Sequence, residues 1–135
     1  MRISMLLITV LWSFCCWVSP AFAANSEQVT QLLESRACVE CDLQGADLKQ
    51  ADLRGVDLTR ADLRNANLSE AQMMAVNLTE ANLQGADLTN AQAFVVDLTG
   101  ANLEGAKVDG IDPVFLKLCH TISPKGEMLD WNCDE

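Results

Sequence analysis

The stretch "ADLRGVDLTRADLRNANL", residues 51–68, carries a leucine at every fifth position. Neither regular element repeats at that interval, since a helix turns every 3.6 residues and a strand alternates every two. A period of five would smear the leucines around a helix surface. It fits a chain of short extended segments separated by corners, in which the leucine and the residue two before it share one face and the residue between them takes the other.

The same register runs without insertion from Cys41 to Gly110, in fourteen blocks of five. Leucine is the centre of eleven blocks; Met73, Ala93 and Val108 are the other centres. Two residues earlier stands Ala, Val or Cys41, and between them Asp or Asn in eleven blocks. One A-D-L is noise, whereas fourteen in phase are a repeat architecture. Gly closes several blocks, at Gly45, Gly55, Gly85, Gly100, Gly105 and Gly110, where the chain must turn.

A second period lies over the first. Val replaces Ala at Val56, Val76 and Val96, and Gln takes the polar slot at Gln72 and Gln92, beside the irregular centres Met73 and Ala93. These exceptions recur every 20 residues, so four blocks make one coil.

The A-(D/N)-L-x-x pattern resembles the pentapeptide-repeat family. The resemblance implies an all-β fold, a right-handed quadrilateral β-helix with the centre and small residues inward. The repeats amount to about three and a half coils, a rod roughly 17 Å long at strand spacing. Both ends of such a solenoid need caps. Residues 24–40 supply an N-terminal helical cap, with Val29, Leu32 and Leu33 at helical spacing and Asn25 and Gln28 placed as at a helix start. Residues 111–135 form the C-terminal cap, with a short helix from Asp112-Pro113 and a turn at Ser123-Pro124-Lys125-Gly126.

Residues 1–23, "MRISMLLITVLWSFCCWVSPAFA", have Arg2, an apolar run and a small-x-small end, which describes a signal peptide cleaved after Ala23. The apolar run is short for a membrane span, and the bulky Phe14 before Cys15 and Cys16 argues against lipid attachment. Localisation is therefore expected to be exported, to the periplasm or the medium, with the thylakoid lumen as the equivalent in a cyanobacterium. No stable membrane anchor is expected after cleavage.

Four cysteines follow the signal segment and allow three pairings. Bridged Cα atoms lie within about 7 Å, less than the expected rod length. That favours Cys119 with Cys133 and Cys38 with Cys41, although the tightness of the second ring leaves its closure open. Family resemblance points the same way for the tail, since secreted members of the cyanobacterial kind have similar Cys-bounded ends. The distance that excludes N-to-C bridges also excludes a zinc site from all four cysteines, and His120 reads as a surface residue of the tail.

The 135-residue chain has a net charge of −10, and loss of Arg2 with the signal makes it more negative. That excludes binding nucleic acid through its phosphates. No phosphate loop, nucleophile elbow or second histidine is present, so no catalytic, cofactor or metal residues are assigned. The expectation is a non-enzymatic scaffold or protein-interaction module, its partner another protein and its oligomeric state, monomer or dimer, undetermined. Two other readings come with it. The resemblance implies a DNA-mimic inhibitor of an enzyme such as gyrase, as some acidic cytoplasmic members are; the C-x-x-C of Cys38 and Cys41 suggests thiol–disulfide exchange, against which stands the inward slot of Cys41. The candidate interaction patch is Met74, Phe94 and Val95, apolar residues at outward positions of one side. Phe94 is expected to lie under the tail near Phe115 and Trp131, leaving Met74 exposed.

Overall fold

The computed structural model describes residues 20–133; the signal segment falls almost wholly outside them. A helix, α1 (Pro20–Ser35), precedes a solenoid in which each polar-slot residue pairs in parallel with the one twenty positions on, Asp42 with Asp62, Asn67 with Asp87, Asn82 with Asn102. The pairing follows from the sequence: stacking coils in register is how the inward Leu and Ala rows bury one another. Leu43, Leu48, Leu53, Leu58, Leu63, Leu68, Leu78 and Leu83 are fully buried.

Each side holds itself to the next coil by the same bonds. The centre N–H donates across to the coil above, as Leu43 N to Asp62 O at 2.8 Å, and the fifth residue does likewise, as Gly45 N to Arg64 O at 2.8 Å. The Asp or Asn side chain has a further role. Its Oδ1 accepts the backbone N–H two residues on, at 3.0 Å from Thr59 to Asp57 and 3.1 Å from Ser69 to Asn67, so the outward residue folds the corner as an Asx turn. This explains why Asp and Asn interchange along the row.

The corner residue adopts positive φ whether or not it is glycine: Gln50, Arg60, Asn65, Glu70, Ala75, Glu80, Asn90 and Val95 all lie near +57°. Glycine eases the corner but does not define it.

Both expected boundaries shift. The first coil begins before Cys41, because Ala37 bridges Asp57 and the Cys38 N–H donates to Asp57 O at 2.8 Å. Cys38 therefore fills a centre slot and is buried, while Cys41 is only partly so, the reverse of the expected emphasis. Helix α1 starts at Pro20 rather than at Asn25 and buries Leu32, but Leu33 stays 43% exposed. A helix laid across the open end of a narrow solenoid has room to bury one row of side chains, not two.

At the other end the coil outlasts its motif. Strands β1 (Gln72–Met74), β2 (Gln92–Phe94) and β3 (Val96–Asp97) precede a 3-10 turn at Pro113–Phe115, capped by Asp112 Oδ1 accepting from Val114 N. Strand β4 (Leu116–Ile122) then resumes the register, Val96 pairing with Leu116, Asp97 with Lys117 and Asn102 with Ile122. Leu118 takes a centre slot, Thr121 a small slot with its hydroxyl donating to Leu98 O at 2.7 Å, and His120 a corner with φ 51°. The turn at residues 123–126 returns the chain as β5 (Met128–Trp131), antiparallel to β4. This hairpin closes the rod over an apolar cavity of about 270 Å³ lined by Ala93, Val108, Leu118, Leu129 and Trp131. Val108, an expected inward centre, is 36% exposed because the coil above it is a hairpin rather than a full side.

Candidate interaction face

One side of the rod differs from the others, and its sequence says why. Where most blocks have Asp or Asn, residues 71–75 and 91–95 have Gln72 and Gln92. At Gln72 and Gln92 the fourth residue is extended where the other sides turn. The chain stays extended, and β1 and β2 pair along three residues: Gln72 with Gln92, Met73 with Ala93, Met74 with Phe94. The result is a strip of parallel sheet presenting Met74 and Phe94 outward, 53% and 44% exposed.

Val95 follows at a corner with φ +57° and is 59% exposed. It is the one β-branched residue among the left-handed non-glycine positions described. That conformation costs an L-residue about 1–2 kcal/mol, more when the β-carbon is branched.

The tail meets this side edge-on. Phe115 leaves the 3-10 turn and sets its ring 4.5 Å from that of Phe94, tilted by 40°. Phe94 is thus flanked by the tail, not covered by it, and Trp131 sits at the end cavity instead of beside Phe94. The tail turns away too early to roof the strip, because residues 113–115 form the 3-10 turn where a fourth strand of the side would lie. Arg54, Met74, Gln92, Phe94, Asp112 and Phe115 line an open groove of about 590 Å³, apolar along its floor with one cation and one anion at its rims. Arg54 stands one twenty-residue step before Met74 on the same outward row, and Asp112 comes to the groove from the start of the 3-10 turn.

Several carboxylates of the rod are tied down by neighbouring donors, one of them by the groove's own Arg54. Arg54 and Arg36 clamp Asp52, holding its carboxyl well below the usual range. Arg64 lowers Asp62, and Gln50 with Lys49 lowers Glu70. The Thr89 hydroxyl and N–H, with Lys107, hold Asp87 at about 2. These carboxylates are all pushed toward the anion, away from the values a proton-transfer group needs.

Disulfides join Cys38 to Cys41 and Cys119 to Cys133, with Cα separations of 5.3 and 5.0 Å. The second is not isolated. His120 and Asp130 stand beside it, the only group of this kind among the described residues, and the ligand atoms of all four lie within 4.8 Å of one another. Sequence reading placed His120 in solvent, which is correct, without bringing Asp130 to it.

Against known families the chain matches the model of pentapeptide repeats, in eight copies across residues 41–79, 57–92 and 71–112. Among curated proteins none matches the sequence. Among solved structures it is similar to HetL of the cyanobacterium Nostoc sp. strain PCC 7120, a pentapeptide repeat protein involved in heterocyst differentiation regulation. The identity is 36% and the TM-score 0.67, over 69% of this chain and 43% of HetL, so the match spans less than half of HetL. It is also similar to a pentapeptide repeat protein of the Arabidopsis thaliana thylakoid lumen, at 28% identity over 62% of this chain and 61% of that one, TM-score 0.36. A third is QnrB1, a plasmid-mediated fluoroquinolone resistance protein, at 24% identity over 58% of this chain and 47% of that one, TM-score 0.37.

Proposed function

The chain belongs to the pentapeptide-repeat family, and on that footing we propose that it is an exported, non-enzymatic interaction module whose partner protein docks on the strip of Met74, Phe94 and Val95. Its frame is a right-handed quadrilateral β-helix, closed at one end by helix α1 and at the other by the β4–β5 hairpin. One observation carries the docking reading: on the side where β1 and β2 pair, Met74, Phe94 and Val95 stand together and face water. A strained valine in the same place adds to it, because strain maintained at an exposed position marks a use beyond folding. The non-enzymatic reading is supported by the downward-shifted carboxylates and by HetL, whose described role is in regulation. Export is supported by the signal-like residues 1–23 and by two disulfides, which persist in oxidising compartments.

A DNA-mimic inhibitor is the weaker reading. Such a surface needs an unbroken run of free acids, and here Arg54 pairs with Asp52, Arg64 with Asp62 and Arg60 with Glu40. Thiol exchange at Cys38 and Cys41 is weaker still, given that Cys38 is buried in a centre slot.

Affinity capture with the exported protein and its Met74→Glu variant tests the proposal. A partner retained by the parent and lost by the variant, with unchanged thermal stability, supports it. Equal recovery of the same partner with both contradicts it.

A further inference from the structure

The fifth position of each side is a corner, and β4 places His120 in one, at φ 51°. A straight strand would send Cys119 and His120 to opposite faces. The corner instead breaks the β4–β5 register between Leu118 and Thr121 and swings the imidazole back, so that Nδ1 lies 3.1 Å from Cys119 Sγ. Irregularities of this sort re-aim side chains, often toward a site. On β5, Asp130 accepts the His120 backbone N–H through Oδ1 at 3.0 Å, and the same oxygen stands 3.9 Å from His120 Nε2. Cys133 follows β5 and brings its sulfur to the same point.

Two thiols, one imidazole and one carboxylate form a tetrahedral set suited to Zn²⁺, and unsuited to Ca²⁺ or Mg²⁺, which take oxygen. Zinc bonds of roughly 2.0–2.3 Å put ligand atoms on the order of 3.3–3.8 Å apart. The four ligand atoms already lie within 4.8 Å of one another, so side-chain rotation suffices to bring them onto one ion. What withholds the site is the bond between the two sulfurs, which leaves neither as a thiolate.

We propose that the Cys119–Cys133 disulfide is the oxidised form of a zinc site, and that on reduction Cys119, His120, Asp130 and Cys133 bind one Zn²⁺ ion. The reductant is a dithiol. Its thiolate attacks Cys133 Sγ, the exposed sulfur, because Cys119 is buried. The Cys133–Cys119 bond breaks, a mixed disulfide forms, and Cys119 leaves as a thiolate beside the imidazole. The second thiol of the reductant loses its proton to solvent, attacks the mixed disulfide and departs oxidised, releasing Cys133 as a thiolate. Two electrons pass from the dithiol to the two cysteines. Any proton taken up by either sulfur returns to solvent as Zn²⁺ binds.

No histidine or further acid joins Cys38 and Cys41 in such a group among the described residues, so these two thiols are removed to leave one candidate site. The test uses the full chain with Cys38→Ser and Cys41→Ser, oxidised or reduced, titrated anaerobically with Co²⁺ as a spectroscopic stand-in for Zn²⁺. The reduced protein is expected to take one Co²⁺ per chain, with thiolate charge-transfer bands and tetrahedral d–d bands that Zn²⁺ bleaches; the oxidised protein takes none. Cys133→Ser should abolish the charge-transfer signal of a two-thiolate site. His120→Ala and Asp130→Ala should each weaken binding by more than about tenfold, the loss that even an outer partner of a metal ligand can produce. Far-UV circular dichroism follows the solenoid throughout. Absence of the bands at stoichiometric Co²⁺ in the reduced chain, ordered tail or not, overturns the inference, as does affinity unchanged by both His120→Ala and Asp130→Ala.

Discussion

The rings of Phe94 and Phe115 meet at 4.5 Å, tilted by 40°, and this contact joins the last coil to the segment that leaves it. Phe94 stands on the sheet strip and Phe115 at the end of the 3-10 turn, so the pair fixes where the tail turns off. An aromatic pair of this geometry contributes about 0.5–1.5 kcal/mol beyond its buried area. Phe94→Ala should therefore lower stability by roughly 1–2 kcal/mol and speed hydrogen exchange in residues 113–119. Phe115→Ala should do the same, and the double variant should show a coupling that urea denaturation can resolve.

Val95→Gly should raise stability. Glycine occupies the left-handed corner without the clash that valine meets, so the gain should be about 1 kcal/mol, offset in part by the entropy glycine adds to the unfolded chain. Partner affinity should fall at the same time, since an apolar contact is lost. Thermal denaturation and binding measured on one variant separate the two effects; a loss of stability would mean that Val95 makes a supporting contact after all.

The outward acids are corner-makers through a single oxygen, and substitutions should follow that oxygen rather than the charge. Asp87→Asn keeps Oδ1 and should change stability by less than about 0.5 kcal/mol. Asn77→Ala removes the acceptor of the Thr79 N–H at 3.0 Å and of the Thr79 hydroxyl at 2.6 Å, and should cost about 1 kcal/mol or more. Leu83→Asp places a charge in a fully buried slot and should prevent folding. Chemical denaturation of the three side by side tests the inward and outward assignment.

Much of this was legible in the residues. The five-residue period gave the sides, and the Val56, Val76, Val96 series gave the coil, because stacking forces identical slots to recur every twenty residues. Two things were not. The Asx role of Asp and Asn leaves the same trace as mere surface polarity, and only the exclusion of Glu from the slot hinted at it. Residues 116–124 keep the coil's register without A-D-L, using Leu118 and Thr121 in inward slots. The backbone ladder supplies the register there, and a ladder has no side-chain signature. For the same reason the pairing of Cys119 with His120 and Asp130 was invisible: it depends on a corner at His120 and on a returning strand.

Acid should find the ion-paired corners. Asp52, Asp62 and Asp87 are all held below the ordinary carboxylate range, Asp52 by Arg54 and Arg36, Asp62 by Arg64, Asp87 at about 2 chiefly by Thr89. A carboxyl lowered on folding contributes stability that is complete above its unfolded value, near 4, and disappears as pH falls through the folded value. Melting temperature should thus be nearly level from pH 7 to about 5 and fall steadily below about 4. Asp87→Asn should flatten part of that fall, as followed by circular dichroism melts across the acid range.

The central claim is that one side of the rod is a partner-binding surface, and site-specific photo-crosslinking reads it directly. A photoreactive residue is placed at Met74, and in a second protein at Glu104, an exposed position on a regular side. Each is expressed as the full chain and irradiated in its native compartment. The account predicts a discrete crosslinked partner from position 74, absent from position 104 and lost when Val95→Gly is combined with the probe. The same partner captured equally from both positions, or from position 104 alone, would contradict it.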